Sequence, residues 1–257
     1  MSGTGTLAKN TAELVRAIFG KPKKPSHTTA IIVAGGNSSR MGEGVSKQLL
    51  KISGIPVVVH TLLAFERADT IKEIIVAAKK DELSLYADFA EEYHITKFKK
   101  AVAGGDTRQK SVKNAFAAIS DKTKFVAIHD GARCLITPEE IDRVCEAAYL
   151  SGAAACAVRA EETVKQEKSG LIEKTLDRDH IWLARTPQVF GTEVYRTALA
   201  IAERDGVTVT DDCALVEHID YRIRLVPCSK HNIKITTRED IPLATAILCM
   251  RQTEEQT

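Results

Sequence analysis

The chain has 257 residues, 44% of them hydrophobic and 27% charged, enough to bury the core of one α/β domain with an insertion and to fold without disulfide or metal staples. Its net charge is only +2, with both signs interspersed, which argues against a nucleic-acid-binding surface but leaves room for a local basic pocket.

Residues 1–27 read as an N-terminal tail. Leu14, Val15, Ile18 and Phe19 would share one side of a short amphipathic helix over Thr11–Phe19, followed by a Gly-Lys-Pro-Lys-Lys-Pro-Ser linker. Residues 28–257 then read as one domain. Strands are predicted over Thr29–Val33, Glu73–Ala77, Phe98–Ala103, Phe125–His129 and Ala153–Val158. Helices are predicted between them, over Val57–Arg67, Glu82–Tyr93, Ser111–Ile119 and Pro138–Leu150, the last with Thr137 as N-cap and Glu140 closing a capping box. This alternation predicts a Rossmann-like α/β fold: a mostly parallel sheet with helices on both faces. The rhythm breaks over about 159–182, where polar sequence around a Lys-Ser-Gly turn at 168–170 predicts a protruding β-hairpin arm. A helix over Glu193–Arg204, strands over Arg222–Pro227 and Ile233–Ile235, and a last helix over Arg238–Met250 complete the domain.

The cysteines, Cys134, Cys145, Cys156, Cys213, Cys228 and Cys249, include no Cys-x-x-Cys pair and match no zinc spacing. Most sit in apolar stretches, so buried, reduced thiols are expected. There is no apolar core ahead of a small-residue cleavage site and no apolar run of bilayer length. A soluble, cytoplasmic protein is expected.

The first strand runs into Ala34-Gly35-Gly36-Asn37-Ser38-Ser39-Arg40-Met41-Gly42, with Ser46-Lys47-Gln48 following. Small residues beyond a strand end let backbone N–H groups approach a polyphosphate, and Arg40 and Lys47 would add fixed positive charge. The pattern is neither a P-loop nor a Gly-x-Gly-x-x-Gly fingerprint. A second loop, Gly104-Gly105-Asp106-Thr107-Arg108-Gln109-Lys110-Ser111-Val112, opens a helix. A third, Val126-Ala127-Ile128-His129-Asp130-Gly131-Ala132-Arg133, sets an acid just past a strand end, where a carboxylate can hold Mg²⁺. His129 reads as a packed strand-end histidine, and Thr210-Asp211-Asp212 as the start of an apolar helix.

Ala-Gly-Gly-x-x-x-Arg-Met-Gly with its downstream Lys-Gln resembles the signature of the sugar-phosphate nucleotidylyltransferases. Within them the chain resembles the 2-C-methyl-D-erythritol 4-phosphate cytidylyltransferase family, from Thr29 to the last helix. The resemblance implies transfer of a cytidylyl group from CTP to that polyol phosphate in isoprenoid precursor synthesis, with release of pyrophosphate. It implies catalytic Arg40 and Lys47, and CTP binding by Ala34, Gly35, Gly36, Gly105, Asp106 and Ser111. Mg²⁺ would sit on Asp130, and the acceptor phosphate on Arg133, Thr163, Arg178 and Lys234. Thr163 and Arg178 belong to the arm, which in the family reaches into a neighbouring subunit, so a homodimer is implied. The chain departs from the family pattern where Gly131 replaces Ala, Cys134 replaces Pro and Ser46 replaces Pro; no functional group is lost. Two other readings stand beside this one: a ribitol-5-phosphate cytidylyltransferase, which would share fold and site, and a catalytically silent nucleotide-binding subunit, which the presence of Arg40, Lys47 and Asp130 disfavours.

Overall fold

The alternation of side chains along the first strand sets the layering. In a computed structural model that describes residues 26–36 and 47–254, β1 (Thr28–Val33) is buried along its whole length. Ala30 and Ile32 enter one apolar cluster, Ile31 and Val33 another, as the two-residue period of a strand requires. The first cluster is covered by α1 (Val57–Arg67), α2 (Leu83–Glu92) and α4 (Pro138–Ser151) through side chains such as Leu62, Phe65, Tyr86 and Val144. The second is covered by α3 (Arg108–Phe116), α5 (Thr192–Arg204) and α6 (Asp212–Glu217) through Phe116, Tyr195 and Leu215.

The central sheet has seven strands. β4 (Ile71–Ala78) and β6 (Phe125–Asp130) flank β1 in parallel, and β5 (Phe98–Ala103) extends the β4 edge. On the other side β7 (Ala153–Arg159) pairs in parallel with β11 (Arg224–Pro227). Between β6 and β7 runs β10 (Trp182–Gly191), antiparallel to both. Successive connections leave β1 towards β4 and then return to β6 on its other side, so a crevice opens beyond the carboxyl ends of these strands.

Local sequence accounts for most boundaries. α4 carries the expected capping box: Thr137 Oγ1 accepts from the Glu140 N–H at 3.3 Å, and Glu140 Oε2 accepts from the Thr137 N–H at 3.2 Å. Asp211 caps α6, accepting from the Ala214 N–H at 3.1 Å. The arm is a hairpin of β8 (Lys165–Lys168) and β9 (Leu171–Thr175), and every residue of both strands is exposed. Its turn places Ser169 at φ 55° and Gly170 at φ 82°, the left-handed pair that a two-residue hairpin loop needs.

Four readings are corrected. Ile233–Ile235 forms no strand: apart from the Ile235 N–H donated to Ala132 O at 2.8 Å, no ladder neighbour flanks it. Instead Ile235 is buried in a third apolar cluster with Ala132, Cys134, Leu135 and the last helix, α7 (Asp240–Glu254). β10 was not expected, because Pro187 and the polar run Arg185–Gln188 break its alternation where its register with β7 shifts. A short hairpin of β2 (Lys51–Ile52) and β3 (Ile55–Pro56) was likewise not foreseen. The helix expected at Ser111–Ile119 starts three residues earlier, at Arg108. The tail up to Pro25, with its expected helix at Thr11–Phe19, lies outside the described residues.

Candidate active site

Two cavities meet at the strand ends. The larger, about 460 Å³, is lined by Gly35, Gly36, Lys47, Lys79, Lys80, the 104–108 loop, Ser111, Asp130 and Lys234. The smaller, about 300 Å³, is lined by Arg133, Arg185, Thr186, Gln188, Thr210 and Asp211. Arg108, Asp130 and Lys234 line both and form the wall between them.

That wall is an ion-pair network. Asp130 closes β6 and is 7% exposed. Its Oδ1 accepts from Arg108 Nε at 3.1 Å and its Oδ2 from Lys234 Nζ at 2.7 Å, while Arg133 Nε lies 3.6 Å from Oδ2. Burial would raise the Asp130 carboxyl, but Arg108, Lys234 and Arg133 outweigh it and hold it far below the usual carboxylate range. Burial likewise works against the Arg108 charge, yet Asp212 and Asp130 overcome it and raise its pKa. Burial lowers Arg133, an effect that Asp130 opposes.

The strand-end turn is fixed from behind. Arg133 O can only accept, so His129 Nε2, 3.2 Å away, carries the ring proton and Nδ1 accepts from the Thr186 hydroxyl at 3.0 Å. Thr186 Oγ1 in turn accepts from the Asp130 N–H at 3.1 Å. His129 is fully buried and neutral; burial pushes its pKa down to about 3. It packs as the sequence suggested and is no ligand. Arg133 Nη1 donates to Asn232 O at 3.0 Å, and Arg185 Nη1 to Lys230 O at 2.9 Å. The segment around Lys234 is therefore strapped to the strand ends without being a strand.

The glycine loop at 104–105 is equally constrained. Ser111 Oγ accepts from the Gly105 N–H at 3.0 Å and donates to Thr107 O at 2.9 Å. A Cβ on Gly105 would lie 2.4 Å from Lys110 Cβ, so only glycine lets the loop lie this close to the helix start.

Of the residues expected from sequence, Gly35, Gly36, Lys47, Gly105, Asp106, Ser111, Asp130, Arg133 and Lys234 come together around the two cavities. Ala34 is wholly buried, continues the β1–β4 ladder by donating to Ala77 O at 2.7 Å, and does not line the cleft. Arg40 lies outside the described residues. Thr163 and Arg178 line neither cavity; both are exposed on the arm, where Arg178 Nη1 donates to Glu161 O at 2.9 Å. Arg108 and Arg185 were not singled out. Arg108 stands at the first turn of the helix that follows the 104–105 glycine loop, and that placement would have been signal enough to find it.

A family model described as 2-C-methyl-D-erythritol 4-phosphate cytidylyltransferase matches residues 28–250. The chain belongs to this family. It is 43% identical over 230 residues to the 2-C-methyl-D-erythritol 4-phosphate cytidylyltransferase of Syntrophus aciditrophicus, covering 89% of this chain and 97% of that one. Among solved structures it resembles the 4-diphosphocytidyl-2C-methyl-D-erythritol synthase of Anaerococcus prevotii, with a TM-score of 0.78, 29% identity, and coverage of 87% and 96% of the two chains. It also resembles the Francisella tularensis 2-C-methyl-D-erythritol 4-phosphate cytidylyltransferase, with a TM-score of 0.71, 32% identity, and coverage of 85% and 98%. The matched segment spans the whole central sheet and both cavities, so the family's fold and this cleft coincide.

Among the described residues no three His, Cys, Asp or Glu side chains gather into a metal cage. The network fits a divalent cation only as a single-carboxylate site at Asp130, with phosphate oxygens and water as the other ligands, the usual habit of Mg²⁺. An ion there would take over one of the contacts that Arg108 and Lys234 now make. Among the described residues no helix is long and apolar enough to cross a membrane.

Proposed function

We infer that the chain transfers a cytidylyl group from CTP to 2-C-methyl-D-erythritol 4-phosphate, giving the CDP-alcohol and pyrophosphate. The observation that carries this reading is the Arg108–Asp130–Lys234 wall, which divides a glycine-lined cavity from an arginine-lined one at the strand ends. The larger cavity takes CTP. Gly35 and Gly36 admit the triphosphate against backbone N–H groups, and Gly105, Asp106 and Ser111 border the nucleoside. The smaller cavity takes the acceptor phosphate through Arg133 and Lys234, with Arg185 beside them. Thr163 and Arg178 reach it from the arm of a second copy of this chain.

The acceptor phosphate is already an anion at neutral pH, so its oxygen attacks the α-phosphorus of CTP without a general base. The P–O bond to the β-phosphate breaks, and pyrophosphate departs on the opposite side. Positioning and charge stabilisation do the work. Lys47 lines the cavity and stabilises the α-phosphate as negative charge crowds on it. Arg40 joins it on the strength of the motif alone. Mg²⁺ held by Asp130 neutralises triphosphate charge when bound. A cytoplasmic location accompanies this reading, with the free thiols reduced.

The test is pyrophosphate release with CTP and Mg²⁺, using 2-C-methyl-D-erythritol 4-phosphate or ribitol 5-phosphate as acceptor, for the wild type beside Lys47→Ala. Turnover with the methylerythritol substrate that vanishes in the variant is expected. Preference for ribitol 5-phosphate would keep the chemistry and overturn the acceptor. CTP binding without turnover on either would point to a silent subunit.

A further inference from the structure

Asp212 opens α6, yet its side chain turns inward and the residue is 1% exposed. Its Oδ2 accepts from Arg108 Nη1 at 2.6 Å, and its Oδ1 accepts from the Tyr195 hydroxyl at 2.5 Å. Its backbone N–H donates to Gln188 Oε1 at 3.0 Å. None of this is needed to start the helix, because Asp211 already caps it. Asp212 lines neither cavity of the site. What it touches is Arg108, whose Nε meets Asp130 Oδ1 on the dividing wall. One guanidinium therefore spans two carboxylates, one facing the substrates and one behind. The planar fork of arginine allows this, and a lysine ammonium would not reach both.

We propose that Asp212, held in place by the Tyr195 hydroxyl, is a positioning residue for the transfer: it grips Arg108 from behind and keeps the guanidinium on the wall beside Asp130. The proposal rests on the cytidylyl-transfer reading for its kinetic test. Three cations, Arg108, Arg133 and Lys234, share this network with the two carboxylates. Without Asp212 the network gains one net positive charge, and Arg108 is free to turn both arms of its fork onto Asp130 or onto a nucleotide phosphate. Asp212 thus fixes where the charge stands as well as how much of it faces the cleft.

The test is a double-mutant cycle of Asp212→Asn and Arg108→Lys, with Tyr195→Phe as a milder probe that keeps the ring between Phe116, 5.1 Å away, and Phe190, 5.4 Å away. Asp212→Asn is expected to lower kcat about 30-fold and to change KM for CTP less than about threefold, the scale of lost outer-shell support. Tyr195→Phe should lower kcat about fivefold in the same direction. In the Arg108→Lys background Asp212→Asn should change kcat by less than about threefold, because the two act as one unit. A second readout needs no turnover: the Arg108 Nε–H resonance of the free protein, protected from exchange in the wild type and broadened in Asp212→Asn. Losses that multiply in the cycle, a lowered Tm with unchanged kcat, or an undisturbed Arg108 resonance would each overturn the proposal. If Asp212→Asn does not fold, the Tyr195→Phe and Arg108→Lys pair completes the cycle. If the wild type itself releases no pyrophosphate, the transfer reading fails, and the Arg108 resonance alone decides the positioning role.

Discussion

At the strand ends Asp130 is 7% exposed and faces three cations. On the arm, every residue of β8 and β9 is exposed, and pairs such as His180 with Asp177 stand in solvent. The first region holds its charges in a medium of low dielectric, where each depends strongly on the others. The second makes ion pairs worth little in water and leaves Leu171 73% and Ile172 68% exposed. Arg108, Asp130 and Lys234 come from one chain, whereas Leu171 and Ile172 carry apolar surface that no described residue of that chain covers. Chemistry built on the wall should respond to single atoms, and the arm's proposed part in a second copy's site should respond to concentration.

The contrast can be broken at its strongest point. Asp130→Ala should cut pyrophosphate release on the order of a thousandfold and lower stability by about 3 kcal/mol, because Arg108, Lys234 and Arg133 lose their shared counter-charge. A loss of less than tenfold in the steady-state assay would move the reaction centre elsewhere. Lys47→Ala should cost about 3 kcal/mol of transition-state stabilisation, seen as a fall of about a hundredfold in kcat/KM.

Acid should weaken the folded state through His129, behind the strand-end turn. The native His129 pKa, about 3, lies below its ordinary 6.5, so between these values the unfolded chain binds the proton that the folded one refuses. Stability is therefore full above pH 6.5 and falls as pH drops towards 3, by up to about 1.4 kcal/mol per unit. Urea melts of metal-free protein should show this slope, and His129→Gln should flatten it. Gly105→Ala, whose Cβ would press on Lys110, should raise KM for CTP about tenfold with a smaller change in kcat. The gentlest change is on the arm. Leu171→Lys with Ile172→Lys should leave single-chain stability within about 0.5 kcal/mol, yet shift sedimentation from dimer to monomer and make activity fall on dilution. A wild type that sediments as a monomer at every concentration would end the arm's proposed role.

The sheet was legible because its inner strands β1, β4, β6 and β7 are largely buried on both faces and its helices carry ordinary signals; α4 is the clearest case, with Thr137, Pro138 and Glu140 at its start. The same logic failed for β10. Its antiparallel course is set by the two strands it slips between, and no local pattern records a neighbour. Ile233–Ile235 failed in the opposite sense: an alternation fit for a strand found no ladder and was buried by α7 instead. In the site, the glycine loops and Asp130 could be read from spacing and resemblance. Arg108 and Asp212 could not be joined on paper, because they are 104 positions apart and meet only through the packing of α3 against α5 and α6. Thr163 and Arg178 line neither of the two strand-end cavities, so their role stays tied to the proposed second copy.

The wall between the two cavities has a thermodynamic consequence. Arg108 and Lys234 line both compartments, so two anionic ligands draw on one reservoir of positive potential. A phosphate seated on one side spends part of the field that the other would feel, unless a cation arrives with the nucleotide to restore it. The affinity of each ligand must then depend on the presence of the other, and the dependence must be equal in both directions. Whether that shared field sets the two substrates in competition or in concert is a matter of how much countercharge the nucleotide carries in with it.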